Sequence, residues 1–177
     1  MTAKDSVLIA TFAALTAGLG LIPPLPVPLI PVPITAQSLG VMLAGCLLGP
    51  RRAGLAMILL IILIALGLPL LSGGRGGLGV FVGPSAGFII GWPAGAVVIG
   101  LIAAKANRSV VRLVLACAVG GIFVVYGFGI PGVALVTDLP FSKATLGAAA
   151  FLPGDIVKAA IAAVTAVAVR RAYPNVI

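Results

Sequence analysis

The sequence predicts an all-α membrane protein, a compact bundle of six transmembrane helices with the N- and C-termini on the cytoplasmic side. Three observations carry that prediction. First, 62% of the 177 residues are hydrophobic and 8% are charged, whereas a soluble domain carries about 25% charged residues. Second, runs such as "LAMILLIILIALGL", Leu55 to Leu68, contain no polar side chain, the signature of segments that live in hydrocarbon. Third, the basic residues gather at segment ends, where membrane topology places them.

The segments follow in order. The first covers about Ser6 to Leu21 and is stopped by Pro23 and Pro24. Its upstream end carries Lys4 and Asp5 and lacks a cleavage site, so it reads as a retained helix rather than a signal peptide. The second runs from about Thr35 to Leu48, ended by Gly49 and Pro50, and the third from Ala53 to Leu68, ended by Pro69. The fourth extends from Pro84 to Ala104 with a kink expected at Pro93. The fifth covers about Ser109 to Phe128, and the sixth runs from Pro153 to Arg170. Several are shorter than the ~20 residues needed to cross a bilayer alone, which fits a compact bundle with loops dipping around a cavity. No internal repeat is visible, so residues 1–177 read as one domain.

Six crossings place Lys4, Arg51, Arg52, Lys105, Arg108, Arg112, Arg170 and Arg171 on one side, which is therefore the cytoplasm. Arg75, Lys143 and Lys158 fall on or near the other side. The outer connections are distinctive. "IPPLPVPLIPVPIT", Ile22 to Thr35, is proline-rich and uncharged, and reads as a stiff polyproline-like cap. "LPLLSGGRGGLGVFVG", Leu68 to Gly83, surrounds Arg75 with six glycines and reads as a mobile lid. "VTDLPFSKATLGAAA" is the most polar of the three.

Composition also excludes functions. The net charge of +8 follows from topology and not from nucleic-acid binding. The chain has no histidine, three acidic residues and two cysteines. Cys46 and Cys117 sit in apolar runs as packing residues. No metal site or His-based catalytic centre follows, and no nucleophile with a neighbouring base is apparent. "GRGGLG" matches a dinucleotide-loop pattern, but it follows an apolar helix and no βαβ unit surrounds it.

A charge in the membrane zone is costly and marks function. Asp155 and Lys158, in "FLPGDIVKAAIAA", are the two candidates. Pro153 suits a first helical position, so Asp155 falls in the first turn, where the helix dipole favours a carboxylate. Lys158 lies at i+3 on the same face. The pair reads as cavity polar groups, with a capping aspartate and an outward lysine as the competing reading. Arg75 adds a guanidinium able to hold a carboxylate through two bonds. Thr35 and Gln37, in "VPITAQSLG", serve as ligand groups or as cap and turn residues. Phe88 and Trp92 lie one helical turn apart and either pack or line the ligand. On the first helix Ala10 and Ala14, and Ala13 and Ala17, have the small-residue spacing that admits a closely packed partner helix, internal or external.

"PVPITAQSLGVMLAGCLLGPRRAGLA", "GLPLLSGGRGGLGVFVGPSAGFIIGWP" and "FLPGDIVKAAIAA" together closely resemble the BioY family, the biotin-capturing S components of bacterial energy-coupling-factor (ECF) transporters. The resemblance covers about Ile22 to Ala163 and is weakest over Leu113 to Leu146. It implies a six-helix bundle in the bacterial cytoplasmic membrane, with biotin bound near the outer side, and no catalysis. It further implies a transmembrane coupling protein and a pair of ABC-type ATPases as partners, with Ala10 and Ala14 matching the motif that meets the coupling protein. No Walker lysine motif is present, so ATP hydrolysis belongs to the partners and no cofactor is expected. Met by the residues above, biotin would present its ureido group to Asp155 and Lys158, its carboxylate to Arg75, and its thioether ring to Phe88 or Trp92. The Arg75 and Lys158 roles are exchangeable at this level. An S component or small permease for another anionic vitamin is the alternative reading. Whether the chain works alone, as a homo-oligomer or only with its coupling module is left open.

Overall fold

The computed structural model describes residues 1–106 and 109–173. Arg108, one of the basic residues used to orient the chain, lies outside them. The order is α1 (Ala3–Leu19), α2 (Gln37–Ala65), a 3₁₀ turn (Leu78–Phe81), α3 (Ala86–Ala103), α4 (Val110–Cys117), a π segment (Ala118–Val124), α5 (Val125–Thr137), α6 (Phe141–Ala149) and α7 (Leu152–Ala172). No strand occurs among the described residues. Four helical stretches are long and apolar enough to cross a membrane: α2, α3, the continuous run Val110–Thr137, and α7. The all-helical class is as the sequence predicts.

The long α2 is two helices. Gly49 has φ 76 and ψ 173, a backbone state that side chains oppose, and Pro50 suits the first position of a new helix. Residues 37–48 and 50–65 therefore fold back on each other. Their far ends meet, because Gln37 at the start bonds Leu70 just beyond the finish (Nε2 to O, 3.0 Å). The expected second and third segments are these two arms. Gly100 of α3 lets the turn pack closely, since a Cβ there would lie 2.5 Å from the Pro50 nitrogen.

Two basic residues fasten this end of the bundle. Arg52 Nε pairs with Asp5 at 2.7 Å, joining the turn to the start of α1. Asp5 also closes a capping box with Thr2, which supplies first-turn amides with acceptors. Arg170 of α7 donates to the carbonyls of Cys46 and Ala103. The Cys46 carbonyl needs such a donor because residue 50, its ordinary helical partner, is a proline without an N–H. Cys46 and Cys117 pack side by side with Sγ atoms 3.4 Å apart, both fully buried and unoxidised.

Helix α3 receives α5 and the π segment through Gly87, Gly91 and Gly95. A Cβ at Gly87 would meet the Phe128 carbonyl at 2.3 Å, and one at Gly95 the Gly120 carbonyl at 2.7 Å. Backbones thus touch without intervening side chains, the usual way helices gain contact in lipid. Pro93 and Pro131 do not end their helices; the fifth segment runs past its expected end at Phe128 to Thr137.

Two connections differ from expectation. The proline-rich stretch is no polyproline rod. It doubles back, with Leu25 and Ile34 exchanging backbone bonds of 2.9 and 2.8 Å, an antiparallel bridge that engages the amides and carbonyls of two non-proline residues between the prolines. Its tip residue Ile30 is buried against Gly147 of α6. Helix α6 itself was not foreseen within the polar third connection.

The close backbone contact predicts a specific sensitivity. Gly95→Leu should lower the unfolding temperature in detergent, since overpacking costs about 1–3 kcal/mol or more. Gly127→Leu should leave it unchanged, because nothing lies within 4 Å of its Cβ position. A thiol-reactive dye that reports exposure of Cys46 and Cys117 measures both.

Candidate functional site

At the end of the bundle opposite Arg52 and Arg170, a cavity forms between the proline-rich loop, the start of α2, the glycine-rich loop, α3, α5 and α7. Every residue singled out from the sequence as a ligand group lines it: Thr35, Gln37, Arg75, Phe88, Trp92, Asp155 and Lys158. The structure adds Ser38, Ser85, Tyr126 and Phe151 to that lining, among others.

Asp155 is the centre of the polar end. It sits in the first turn of α7 and is 5% exposed. Its Oδ1 accepts from Lys158 Nζ at 2.8 Å and from Ser38 Oγ at 3.0 Å, and its Oδ2 accepts from Tyr126 Oη at 2.7 Å. Lys158 donates twice more, to the Thr35 carbonyl at 2.7 Å and to Ser38 Oγ at 2.9 Å. An ammonium has three donors, and all three are engaged. The competing reading of an outward lysine is therefore wrong for this fold: Lys158 turns inward and pairs with Asp155. A buried charge persists only when paired and hydrogen-bonded, and this pair meets both conditions.

Gln37 does a different job from a free ligand group. Its Nε2 donates to the carbonyls of Thr16 and Leu70 at 3.2 and 3.0 Å, and its Oε1 accepts from the Ser72 amide at 3.0 Å. One amide thereby ties α1 and the glycine-rich loop to the start of α2. Thr35 contributes through its carbonyl to Lys158, which fixes the last residue of the proline-rich loop.

The glycine-rich loop is a defined turn. Gly73 and Gly74 have φ of 79 and 68, which lets Leu71 and Arg75 pair across it (amide to carbonyl, 3.0 Å). Arg75 is held by Nε to the Ser72 carbonyl at 3.3 Å and Nη1 to Ser85 Oγ at 3.2 Å. Its Nη2 has no acceptor among the described residues.

Aromatic rings form one wall. Phe88, Tyr126 and Phe151 meet edge-to-face with centroids 5.6 to 6.2 Å apart, an arrangement their quadrupoles favour. Trp92, 6% exposed, lies one turn along α3 from Phe88. Tyr126 was missed from the sequence because its segment reads as apolar throughout; an isolated tyrosine inside a predicted span was the available signal. Ser38 and Ser85 carried no signal beyond their neighbours. On α1 the structure separates the two alanine pairs: Ala13 faces the core, whereas Ala10 and Ala14 are exposed.

The ion pair makes a testable demand. Lys158→Met should destabilise the protein by about 3–5 kcal/mol, the cost of leaving a buried charge without its partner. Lys158→Met with Asp155→Leu should recover most of that loss. Thermal unfolding of the two variants in detergent decides it.

The chain is similar to known proteins over nearly its whole length. The family model described as BioY family matches residues 1–175. The chain is 49% identical to the biotin transporter BioY of Rhizobium etli over 181 aligned residues, covering 98% of this chain and 97% of that protein. It is 46% identical to a probable biotin transporter BioY of Bacillus subtilis, covering 95% and 91%. The crystal structure of the S-component for biotin from an ECF-type ABC transporter superposes with a TM-score of 0.91 at 30% identity, covering 97% of this chain and 95% of that one. With residues 1–175 matched and its fold shared over nearly its whole length, the chain belongs to the BioY family.

Proposed function

We propose that this protein captures biotin in the cavity between Asp155 and Arg75 and serves as the substrate-binding S component of an ECF-type transporter, without catalysis and without a cofactor. The observation that carries the reading is the division of the cavity: a neutralised carboxylate at one end, an aromatic wall between, and an arginine without a carboxylate partner at the other. Biotin has the matching division, with a ureido group that has two donors and one acceptor, an apolar thioether ring and a carboxylate tail.

A carboxylate offers about four acceptor positions. Asp155 has three filled by Lys158, Ser38 and Tyr126, which leaves one for a ureido N–H. Lys158, with its three donors engaged, neutralises Asp155 and anchors Thr35. Arg75 keeps Nη2 available, so it and not Lys158 meets the ligand carboxylate. Phe88, Tyr126, Phe151 and Trp92 surround the thioether ring.

Six crossings of a bacterial cytoplasmic membrane account for the arrangement: α1, the two arms of α2, α3, the run Val110–Thr137, and α7. The end holding Arg51, Arg52, Lys105, Arg112, Arg170 and Arg171 faces the cytoplasm, together with both termini, and the cavity opens outward. Ala10 and Ala14, exposed on α1, form the small-residue surface that meets a transmembrane coupling protein. That protein and a pair of ABC-type ATPases supply the energy for release.

Three results are expected. Asp155→Asn should weaken biotin binding about a hundredfold or more, as loss of one partner from a buried polar set costs about 2–5 kcal/mol; unchanged equilibrium binding of labelled biotin in detergent would falsify the assignment. Arg75→Ala should reduce affinity for biotin more than for biotin amide, whose tail is uncharged, and equal losses would move Arg75 away from the tail. Ala14→Trp should leave biotin binding intact while abolishing uptake by the assembled transporter; normal uptake would remove Ala14 from the coupling surface.

A further inference from the structure

Cys46 and Cys117 do not line the cavity, yet they stand at the foot of one of its walls. Ser38, Met42 and Cys46 follow one another at one-turn intervals along the first arm of α2 and so share a face. Each meets a residue of the run Val110–Thr137. Ser38 and Tyr126 both donate to Asp155, at 3.0 and 2.7 Å. Met42 packs on Gly121, where a Cβ would lie 2.7 Å from the methionine methyl. Cys46 and Cys117 touch, with Sγ atoms 3.4 Å apart. Residues 117, 121 and 126 are spaced by four and then five. The wider interval spans the end of the π segment Ala118–Val124, whose wider turn keeps Tyr126 on the face of Cys117 and Gly121.

Three rungs therefore close the seam between α2 and this run: a polar one at the cavity, an apolar one at Gly121, which lines the cavity, and a thiol pair beneath. About 12 Å of helix separates Cys46 from Ser38 at 1.5 Å per residue. The upper two rungs are non-covalent and can part. The lowest can become covalent, since both thiols are fully buried, free and in contact.

We propose that Cys46 and Cys117 form a redox-convertible lock: oxidation by a small uncharged peroxide joins them as a disulfide, and the covalent rung keeps the α2 wall from parting to admit or release ligand. The step balances with hydrogen peroxide as the oxidant. One sulfur attacks a peroxide oxygen, the O–O bond breaks, and the thiol proton leaves with the departing hydroxide as water. The second sulfur then displaces hydroxide from the sulfenic sulfur, the S–S bond forms, and the second thiol proton leaves with that hydroxide as another water. Two thiols and one peroxide become one disulfide and two waters. Burial selects a small neutral oxidant over a bulky or charged one. The disulfide ties residues 71 apart in sequence, so it also removes freedom from the unfolded chain. Asp155, Lys158 and Arg75 are untouched by it, so the lock changes the rate of exchange and not the affinity. The effect on exchange rests on the biotin reading above; the cross-link itself does not.

The test uses the full chain in detergent, treated with hydrogen peroxide and compared with the same protein kept in dithiothreitol. The intact mass should fall by two hydrogens on oxidation, and the unfolding temperature should rise by about 5–10 °C. Labelled biotin should enter and leave about tenfold more slowly, with its equilibrium affinity held within about threefold. Dithiothreitol should restore the original rates. Cys46→Ala given the same peroxide should keep the rates of its untreated form, which separates the disulfide from oxidation of methionines. Absence of the cross-link under peroxide, or exchange rates unchanged once it has formed, would overturn the lock. Slow exchange that dithiothreitol does not reverse, or that Cys46→Ala shares, would overturn it equally. A chain that cross-links and gains stability but binds no biotin refutes the biotin reading while supporting the pair as the oxidation site.

Discussion

The ammonium of Lys158 is the constraint around which the binding end of this molecule is built. A cation at membrane depth must find a counter-charge and acceptors for all its protons. Its three bonds go to three parts of the chain: the carboxylate of Asp155 on α7, the hydroxyl of Ser38 on α2 and the carbonyl of Thr35 at the end of the proline-rich loop. Once those are fixed, Tyr126 completes the carboxylate from α5. Three segments distant in sequence, around Thr35 and Ser38, Tyr126, and Asp155, are thereby held around one buried pair, and the space they enclose is the cavity.

Backbone shape makes that convergence feasible. The left-handed Gly49 folds α2 back so that Leu70 returns beside Gln37. The Gln37 amide then fixes the glycine-rich loop over the cavity, carrying Arg75 with it. Gly87, Gly91 and Gly95 let α5 and the π segment approach α3 until backbones touch, which brings Tyr126 within reach of Asp155. A π segment carries more residues per turn than an α-helix and often marks a functional site. Here it lies directly before Tyr126, and Gly121 within it lines the cavity. At the opposite end Arg170 and Arg52 tie helix ends together through unpaired carbonyls and an aspartate.

Much of this was legible in the sequence. Apolar runs gave the helices, and the rarity of intramembrane charge pointed to Asp155 and Lys158. Glycines around one arginine marked the loop whose Arg75 lines the cavity. What escaped was relational. Gln37 reads as a ligand group, and only the fold reveals that its amide is occupied by the backbone of Thr16, Leu70 and Ser72. Tyr126 and Ser38 are ordinary residues until the ion pair is placed. The proline-rich loop was read as extended because prolines favour that state, yet one pair of bonds between Leu25 and Ile34 is enough to double it back. The fifth segment reads as ending near Phe128, but the helix carries Pro131 within it and continues to Thr137. The short α6 carries no local pattern that distinguishes it.

Biotin capture by this fold requires biotin to enter this cavity, and the chain contains its own reporter. Trp92 is the single tryptophan of the sequence and lines the cavity wall. Titrating the purified protein with biotin while recording tryptophan fluorescence therefore reads occupancy at the site itself. A saturable change at one biotin per chain, absent with biotin-unrelated carboxylic vitamins, is the predicted result. Fluorescence unchanged by biotin and altered by another vitamin would contradict it.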